Sequence, residues 1–333
     1  MKKKDYLVVI NPQAGKGKAL AYGKRIEKLF ISWGVKAVFA FTCKDGPNSA
    51  FALGKKAAEE GIHTIVAVGG DGTKNLLFNG MMASGVPLER LPQLGFVQAG
   101  TGNNFAKNLS TPSAFGEAME VIKYGYTILV DVGLVTSKSF KRYFLNVVSF
   151  GFDAEVVEKT SRFKEKRGSF IFKELAYLLV AGQKIFQGFP SYRLSLSSPG
   201  FTLETDSCLL AVLNGPTYGA IFNIAPGADL SDGLFDAYLV DKVNKIKALG
   251  ILLRATQGKH VGLAQVGHFK TGSLNLASLT PLPCEVDGEV MPAEKEYQIS
   301  ILPRALKVLV PPPFVEAKRP LAVKVRAPEF QLA

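Results

Sequence analysis

Cysteine is scarce: the 333 residues hold three, Cys43, Cys208 and Cys284, far apart in the chain. That excludes a disulfide framework, and the absence of a CxxC pair removes the usual cysteine metal site. Each reads as a small buried apolar side chain rather than a nucleophile, and a reducing, cytoplasmic setting fits. Histidine is as rare. His63 reads as a strand residue and His260 and His268 as loop residues, and none falls in an HExxH or similar ligand spacing. Long apolar runs are missing too. The longest, Phe170 to Phe186, is interrupted by Lys173, Glu174, Gln183 and Lys184, which is too polar for a membrane span. Met-Lys-Lys-Lys-Asp leads into an apolar run too short for a signal peptide, with no small-residue cleavage site after it. A soluble or peripheral protein is expected. There is no internal repeat and no nucleic-acid module, since no basic stretch interleaves with stacking aromatics.

What the chain has is apolar mass and positive charge. Hydrophobic residues make up 47%, and the length accommodates two domains. The net charge of +12 points to an anionic partner: a nucleotide, a nucleic acid or an acidic membrane. Lysine and arginine cluster at 159–167 (Lys159, Arg162, Lys164, Lys166, Arg167) and at 242–259 (Lys242, Lys245, Lys247, Arg254, Lys259). Such clusters are either solvated helix faces or a surface for anionic lipid.

The most informative segment is Gly69-Gly70-Asp71-Gly72-Thr73, directly after the apolar run Ile62–Val68. Glycine removes the Cβ and lets consecutive N–H groups converge on an anion. Asp71 can hold Mg²⁺ or water, Thr73 can donate to a phosphate oxygen, and a helix expected from Lys74 adds its positive end. Strand-Gly-Gly-Asp-Gly is also an ordinary turn.

Apolar strands at Tyr6–Asn11, Val35–Thr42, Thr64–Val68 and Gln93–Gln98 alternate with amphipathic helices near Lys18–Trp33, Pro47–Glu60, Lys74–Ser84 and Ser113–Lys123. This order predicts an α/β N-terminal domain, residues 1–130, with a parallel sheet and helices on both faces. Ligands in such sheets bind beyond the carboxyl ends of the strands. Four polar segments fall there: Asn11–Gly17, Thr42, the Gly-Gly-Asp-Gly-Thr loop, and Gly100-Thr101-Gly102-Asn103-Asn104. Neither a Walker A loop nor GxGxxG is present. From Asp131 the pattern changes to short β-rich segments split by Gly, Pro and Ser turns, which predicts an antiparallel β-sandwich over 131–310. Helical insertions are expected near 166–187 and 243–257. Residues 311–333 open with three prolines, are basic and lack periodicity, and read as a disordered tail.

Together these residues resemble the diacylglycerol kinase catalytic-domain family, which includes soluble bacterial lipid kinases and, more distantly, sphingosine and ceramide kinases. The marks run from Tyr6 to Val310: Asn11-Pro12 with Ala14-Gly15, Gly-Gly-Asp-Gly-Thr, Gly100-Thr101-Gly102-Asn103, Asp131-Val132-Gly133, Ser149 to Ala154, Asn214-Gly215, Asp232 to Asp236, and Asp287-Gly288-Glu289. The resemblance implies a fold like the NAD kinases and diacylglycerol kinases, with ATP between the two domains and transfer of its γ-phosphate to a lipid hydroxyl. Nucleotide contacts would fall on Asn11, Pro12, Gln13, Ala14, Gly15, Thr42, Gly69, Gly70, Asp71, Gly72, Thr73, Lys74, Asn75 and Thr101. A catalytic Mg²⁺ would involve Asp71 with Asp131 nearby. Either Asp287 or Glu289 would be the base; alternatively Asp287-Gly288 is only a hairpin turn. A second, structural cation would sit at Asp229, Asp232 and the carbonyl of Leu234.

The family's setting implies a cytoplasmic enzyme, peripheral at the inner face of the membrane, and homodimers occur in it. Leu76 and Asn104 depart from its pattern, which often has Glu and Asp there. Two rival readings remain: an NAD kinase, whose family shares the glycine-rich Asp loop, and a non-catalytic, nucleotide-gated membrane-binding protein.

Overall fold

The computed structural model describes residues 6–167, 173–219 and 221–312, with the side chains of 163–167 and 173–175 left out. The expected tail therefore lies, beyond Pro312, outside the described residues, as do the side chains of Lys164, Lys166 and Arg167.

The first unit is built by alternation. Strands β1 (Tyr6–Ile10), β2 (Ala37–Phe41), β3 (Thr64–Gly69) and β4 (Gln93–Gln98) are separated by helices α1 (Lys18–Ser32), α2 (Ala50–Glu59) and α3 (Asp71–Met82), and followed by α4 (Asn104–Asn108) and α5 (Phe115–Tyr124). β1 pairs in parallel with β2 and β3, and β3 with β4, giving the order β4-β3-β1-β2. Every residue of β3 is buried, as a strand covered on both faces requires. Leu53, Ala57 and Phe78 of α2 and α3 cover one face. Ile26 and Phe30 of α1 and Met119 and Ile122 of α5 cover the other.

One boundary differs in a way that matters. α3 begins at Asp71, not Lys74, so Asp71, Gly72 and Thr73 form its first turn. A carboxylate in the first turn complements the helix dipole, which offsets the poor helix propensity of Gly72.

The second unit holds β5 (Tyr126–Thr136), β6 (Lys141–Phe144), β7 (Val147–Gly151), α6 (Phe152–Arg167), α7 (Lys173–Gln187), β8 (Tyr192–Ser198), β9 (Phe201–Leu213), β10 (Phe235–Asp241), α8 (Lys245–Ala255), β11 (Val266–Thr271), β12 (Ser273–Val286) and β13 (Glu289–Val310). Their mutual pairings are antiparallel. They wrap a core centred on Phe144, Phe150, Phe235 and Tyr297. The helix expected near 166–187 is α7, over 173–187, and a further helix, α6, precedes it. His268 sits on β11 rather than in a loop.

β13 ties the units together. Its first half pairs with β12, and its second half packs Leu306, Val308 and Val310 into the α/β core, where Val308 pairs in parallel with Leu94 of β4. The register of its pairing with β5 shifts between Leu302 and Leu306, at Arg304, whose φ is 51°. The expected boundary at Asp131 falls inside β5, whose Val130 and Val132 join the α/β core and whose Val135 joins the sandwich core. All strands among the described residues thus belong to one 13-stranded sheet.

Candidate active site

The carboxyl ends of β1, β3 and β4 open onto a polar cleft of about 560 Å³ facing the second unit. Asn11 organises its first loop. Its Oδ1 accepts the Gln13 N–H at 3.0 Å, and its Nδ2 donates to Thr73 Oγ1 at 3.0 Å, tying the β1 loop to the first turn of α3. Gly15 has φ of 62°, and a Cβ there would stand 2.3 Å from the Ala99 carbonyl. A Cβ on Gly100 would stand 2.5 Å from Gly70 Cα. Only glycine permits these contacts, so the glycines build a backbone floor without side chains. Of the expected nucleotide contacts, Asn11, Gln13, Ala14, Gly15, Gly70, Asp71, Gly72, Thr73 and Thr101 line the cleft.

Pro12, Thr42, Gly69, Lys74 and Asn75 do not. Thr42 ends β2 with its N–H donated to the Ile10 carbonyl. Lys74 is fully buried beneath the floor, 3.4 Å from both Asp71 Oδ1 and Asn103 Oδ1 and over the Phe96 ring. Burial lowers its pKa, opposed by the Asp71 charge. Asn75 turns the other way and donates to the Tyr143 carbonyl and to Asp287 Oδ2.

Asp71 accepts the backbone N–H groups of Asn104 at 2.8 Å and Phe105 at 3.3 Å, so it holds the 100–104 loop closed. Leu76 packs against the α/β core, and Asn104 faces the cleft. Among the described residues no group of three or more His, Cys, Asp and Glu gathers to hold a metal. One carboxylate on a glycine floor fits a Mg²⁺ that arrives on a polyphosphate and takes its other ligands from phosphate and water.

Asp131 does not line the cleft that Asp71 lines. It is fully buried at the kink of β13, where Oδ1 accepts the Arg304 N–H at 2.8 Å and Oδ2 the Gly233 N–H at 2.7 Å. With both oxygens engaged by backbone N–H groups, it holds the β13 kink. The second cation site is also answered differently. Asp232 Oδ1 accepts the Leu234 N–H, and its Oδ2 meets Lys270 Nζ at 2.9 Å, with Asp236 3.4 Å from the same ammonium. Asp229 bonds Ser231. Burial alone would lower the Lys270 pKa, but the bonds and charges of Asp232 and Asp236 carry it above the ordinary lysine value. The lysine is thus the cation beside Asp232 and Asp236.

The two candidate bases line the cleft, but both are engaged. Asp287, at φ of 49°, turns its carboxylate onto the β6–β7 connection: Leu145 N–H at 2.7 Å, Asn146 at 2.9 Å, Val147 at 3.0 Å, and Asn75 Nδ2 at 2.8 Å. Burial raises its pKa, and these donors oppose the rise. Glu289 pairs with Arg142 at 2.5 Å.

Sequence reasoning missed a second cavity and the group that walls it off. An apolar cavity of about 110 Å³ lies under α7 and α8, lined by residues such as Phe152, Ile185, Phe189, Leu252 and His260. Tyr177 and Tyr218 line both this cavity and the polar cleft. Behind them sit two buried acids, Asp153 and Glu285. Ser149 Oγ bonds both, at 2.9 Å to Glu285 Oε1, and Tyr177 donates to Asp153 Oδ1. Tyr218 bonds both acids, and Glu285 accepts the Gly288 N–H at 2.6 Å. Burial pushes both carboxyls up, and each acid's charge or hydrogen bond acts on the other. A signal was present: Glu285 stands between Cys284 and Val286 on a strand, and Asp153 follows Phe150-Gly151-Phe152, both in apolar surroundings where a charge needs a reason.

Fold and site together define a two-part architecture, an α/β unit and a β-sandwich with a glycine-floored cleft between them. The family described as Diacylglycerol kinase catalytic domain matches residues 5–135, and the YegS C-terminal NAD kinase beta sandwich-like domain matches residues 146–310. The diacylglycerol kinase of Staphylococcus epidermidis strain ATCC 12228 is 30% identical over 236 residues, covering 71% of this chain and 70% of the relative. That of Staphylococcus carnosus strain TM300 is 28% identical over 236 residues, 71% of this chain and 72% of the relative. The crystal structure of a diacylglycerol kinase from Bacillus anthracis str. Sterne superposes with a TM-score of 0.69 at 19% identity, covering 94% of this chain and 99% of that one. The chain belongs to the diacylglycerol kinase family, and at the level of the family it is a lipid kinase.

Proposed function

We propose that this protein is an ATP-dependent lipid kinase that moves the γ-phosphate of ATP to the hydroxyl of a lipid alcohol of the diacylglycerol class. The observation that carries this reading is the shared wall: Tyr177 and Tyr218 border both a polar, glycine-floored cleft and an apolar cavity. A phosphate donor in the first and an acyl chain in the second meet at that wall. An NAD acceptor would have no use for an apolar cavity beside the phosphates.

Phosphoryl transfer needs positioning and charge neutralisation more than covalent chemistry. The backbone N–H groups of the Gly15, Gly70 and Gly100 loops and the N-terminus of α3 receive the phosphates. Mg²⁺, when bound with ATP, offsets phosphate charge beside Asp71. Thr73, fixed by Asn11, keeps the first turn of α3 aimed at the same anion. The cavity holds the acyl chains away from water and orients the hydroxyl.

Such an enzyme works at a membrane as a peripheral protein. No helix among the described residues is long and apolar enough to cross one. Over the cavity, α7 and α8 expose Leu179, Phe186, Ile246 and Leu253, with Ile246 84% exposed. Lys242, Lys245, Lys247, Arg254 and Lys259 surround this patch in sequence. Apolar insertion and attraction to anionic headgroups then add.

The test is to incubate the purified protein with radiolabelled ATP, Mg²⁺ and a mixed lipid panel in micelles, and to identify the labelled product. Label on a lipid alcohol, lost in Asp71→Asn, supports the reading. Label on NAD, or ATP binding with no lipid labelled, overturns it.

A further inference from the structure

Resting on the lipid-kinase reading, we infer that Arg142 is a positioning residue: its guanidinium holds one oxygen of Glu289 and leaves the other free to receive the proton of the acceptor hydroxyl.

The β12–β13 turn carries two carboxylates in different surroundings. Asp287 and Gly288 are its central residues, with φ of 49° and 87°, and Val286 pairs with Glu289 across it, a two-residue hairpin. Asp287 points back into the protein, where Leu145, Asn146, Val147 and Asn75 occupy both of its oxygens. Glu289 begins β13 and lines the cleft, with its side chain 42% exposed. Among the described residues its Oε2 alone is engaged, by Arg142 Nη2 at 2.5 Å. The lone pairs of Oε1 stay open to a proton.

A half-exposed glutamate would otherwise sample several rotamers, and fixing one costs entropy. Arg142 removes that freedom before substrate arrives. Its side chain is 15% exposed, and its Nε is buried with no hydrogen-bond partner among the described residues. Glu289 is the carboxylate it pairs with, so the guanidinium stays turned toward it.

The place of Arg142 is set from the phosphate side of the cleft. On β6 it pairs with Val135 of β5. The adjacent Tyr143 donates its N–H to Asn79 Oδ1 at 3.0 Å, and its carbonyl accepts Asn75 and Asn79 at 3.0 Å each. Both asparagines belong to α3, whose first turn brings Asp71 and Thr73 to the cleft. The helix that receives phosphate, strand β6 and Glu289 thus form one connected frame, which sets the distance from the phosphate floor to the proton acceptor.

The step balances. The lipid oxygen bonds to the γ-phosphorus as its proton passes to Glu289 Oε1. The bond from phosphorus to the bridging oxygen breaks, and its electron pair leaves with ADP. Glu289 later releases the proton to solvent. Arg142 keeps its charge throughout, since a guanidinium does not deprotonate in a protein.

Kinase activity on micellar diacylglycerol is measured for wild type, Arg142→Ala, Arg142→Lys, Glu289→Gln and the double variant Arg142→Ala with Glu289→Gln. Arg142→Ala should lower kcat about 10-fold or more, part of the roughly 10²–10⁴-fold a general base contributes, with the KM for ATP unchanged. Added guanidinium should restore activity to Arg142→Ala and not to Glu289→Gln. Arg142→Lys, which keeps the stem and the charge, should fall between wild type and Arg142→Ala. In the Glu289→Gln background Arg142→Ala should cost less than about 2-fold, because it acts through the carboxylate. If Arg142→Ala does not fold, Arg142→Lys runs the same cycle. An ordinary cross-strand ion pair would lower the thermal midpoint and leave kcat unchanged. A direct contact between Arg142 and the phosphates would raise the KM for ATP and persist without Glu289. Either result, or a fully active Glu289→Gln, overturns the inference alone. A wild type that labels no lipid overturns the kinase reading and the inference with it.

Discussion

Asn75 donates its side-chain amide to Asp287 Oδ2 at 2.8 Å, across 212 positions of sequence. The bond joins α3, whose first turn lies on the cleft floor, to the β12–β13 turn on the opposite wall. Asn75 also donates to the Tyr143 carbonyl, so one amide ties α3 to two strands of the second unit.

Asn75→Ala should therefore lower stability by about 1–3 kcal/mol, the cost of leaving buried partners unsatisfied. Asp287→Asn should cost at least as much, because its new amide would face the N–H groups of Leu145, Asn146 and Val147. Urea unfolding gives both values. A loss of turnover in Asp287→Asn without loss of stability would return Asp287 to the role of base.

Lys270 occupies the place expected for a structural cation. Wild-type thermal stability without nucleotide should not respond to millimolar Mg²⁺. Lys270→Ala should lower the melting point by leaving Asp232 and the buried Asp236 without their ammonium. Divalent cations should restore part of the loss, read by calorimetry with and without Mg²⁺.

Asp153, Glu285 and Asp287 all have folded pKa values raised by burial above their ordinary 3.8, 4.5 and 3.8. Between the ordinary and the raised values the folded chain holds more protons than the unfolded one. Stability should thus be greatest at the acid end of that window, fall as pH rises through it, and level off above the raised values. Glu285→Gln should flatten the fall, as measured by denaturant midpoints across pH.

Cys43 is exposed, contrary to the expectation that all three thiols are buried, while Cys208 and Cys284 are buried. Burial pushes the Cys208 thiol up to about 12 and raises Cys284 as well. A thiol reagent should label Cys43 rapidly in the native protein and the other two only after denaturation. Cys43→Ser should abolish the fast phase.

The glycine loops were legible because their requirement is local: φ above zero at Gly15 or a missing Cβ at Gly100 restricts the residue type on the spot. The alternation of β1 to β4 with α1 to α3 was legible for the same reason, through period and turn chemistry. The aim of each carboxylate was not. Asp287 points inward because Leu145 to Val147 and Asn75 present four donors, and none of these is near it in sequence. Asp131 is claimed by Arg304 and Gly233 in the same way. Helix α6 carries no clean apolar stripe in its polar second half, so periodicity alone does not reveal it. Its Asp153 and the distant Glu285 become a pair only through the β7–β12 pairing.

The kink in β13 at Arg304 has a consequence for how the molecule is made. The α/β unit takes Leu306, Val308 and Val310 into its core, so that core stays open until the whole sandwich has been synthesised. The closing strand must then be drawn back across the chain, a long-range contact of the kind that slows folding. During translation the β4 edge and the apolar groups beneath it would be exposed, making the half-made enzyme a client for chaperones. A fragment ending at Thr136 would carry the complete glycine floor and still lack the strand that seals it.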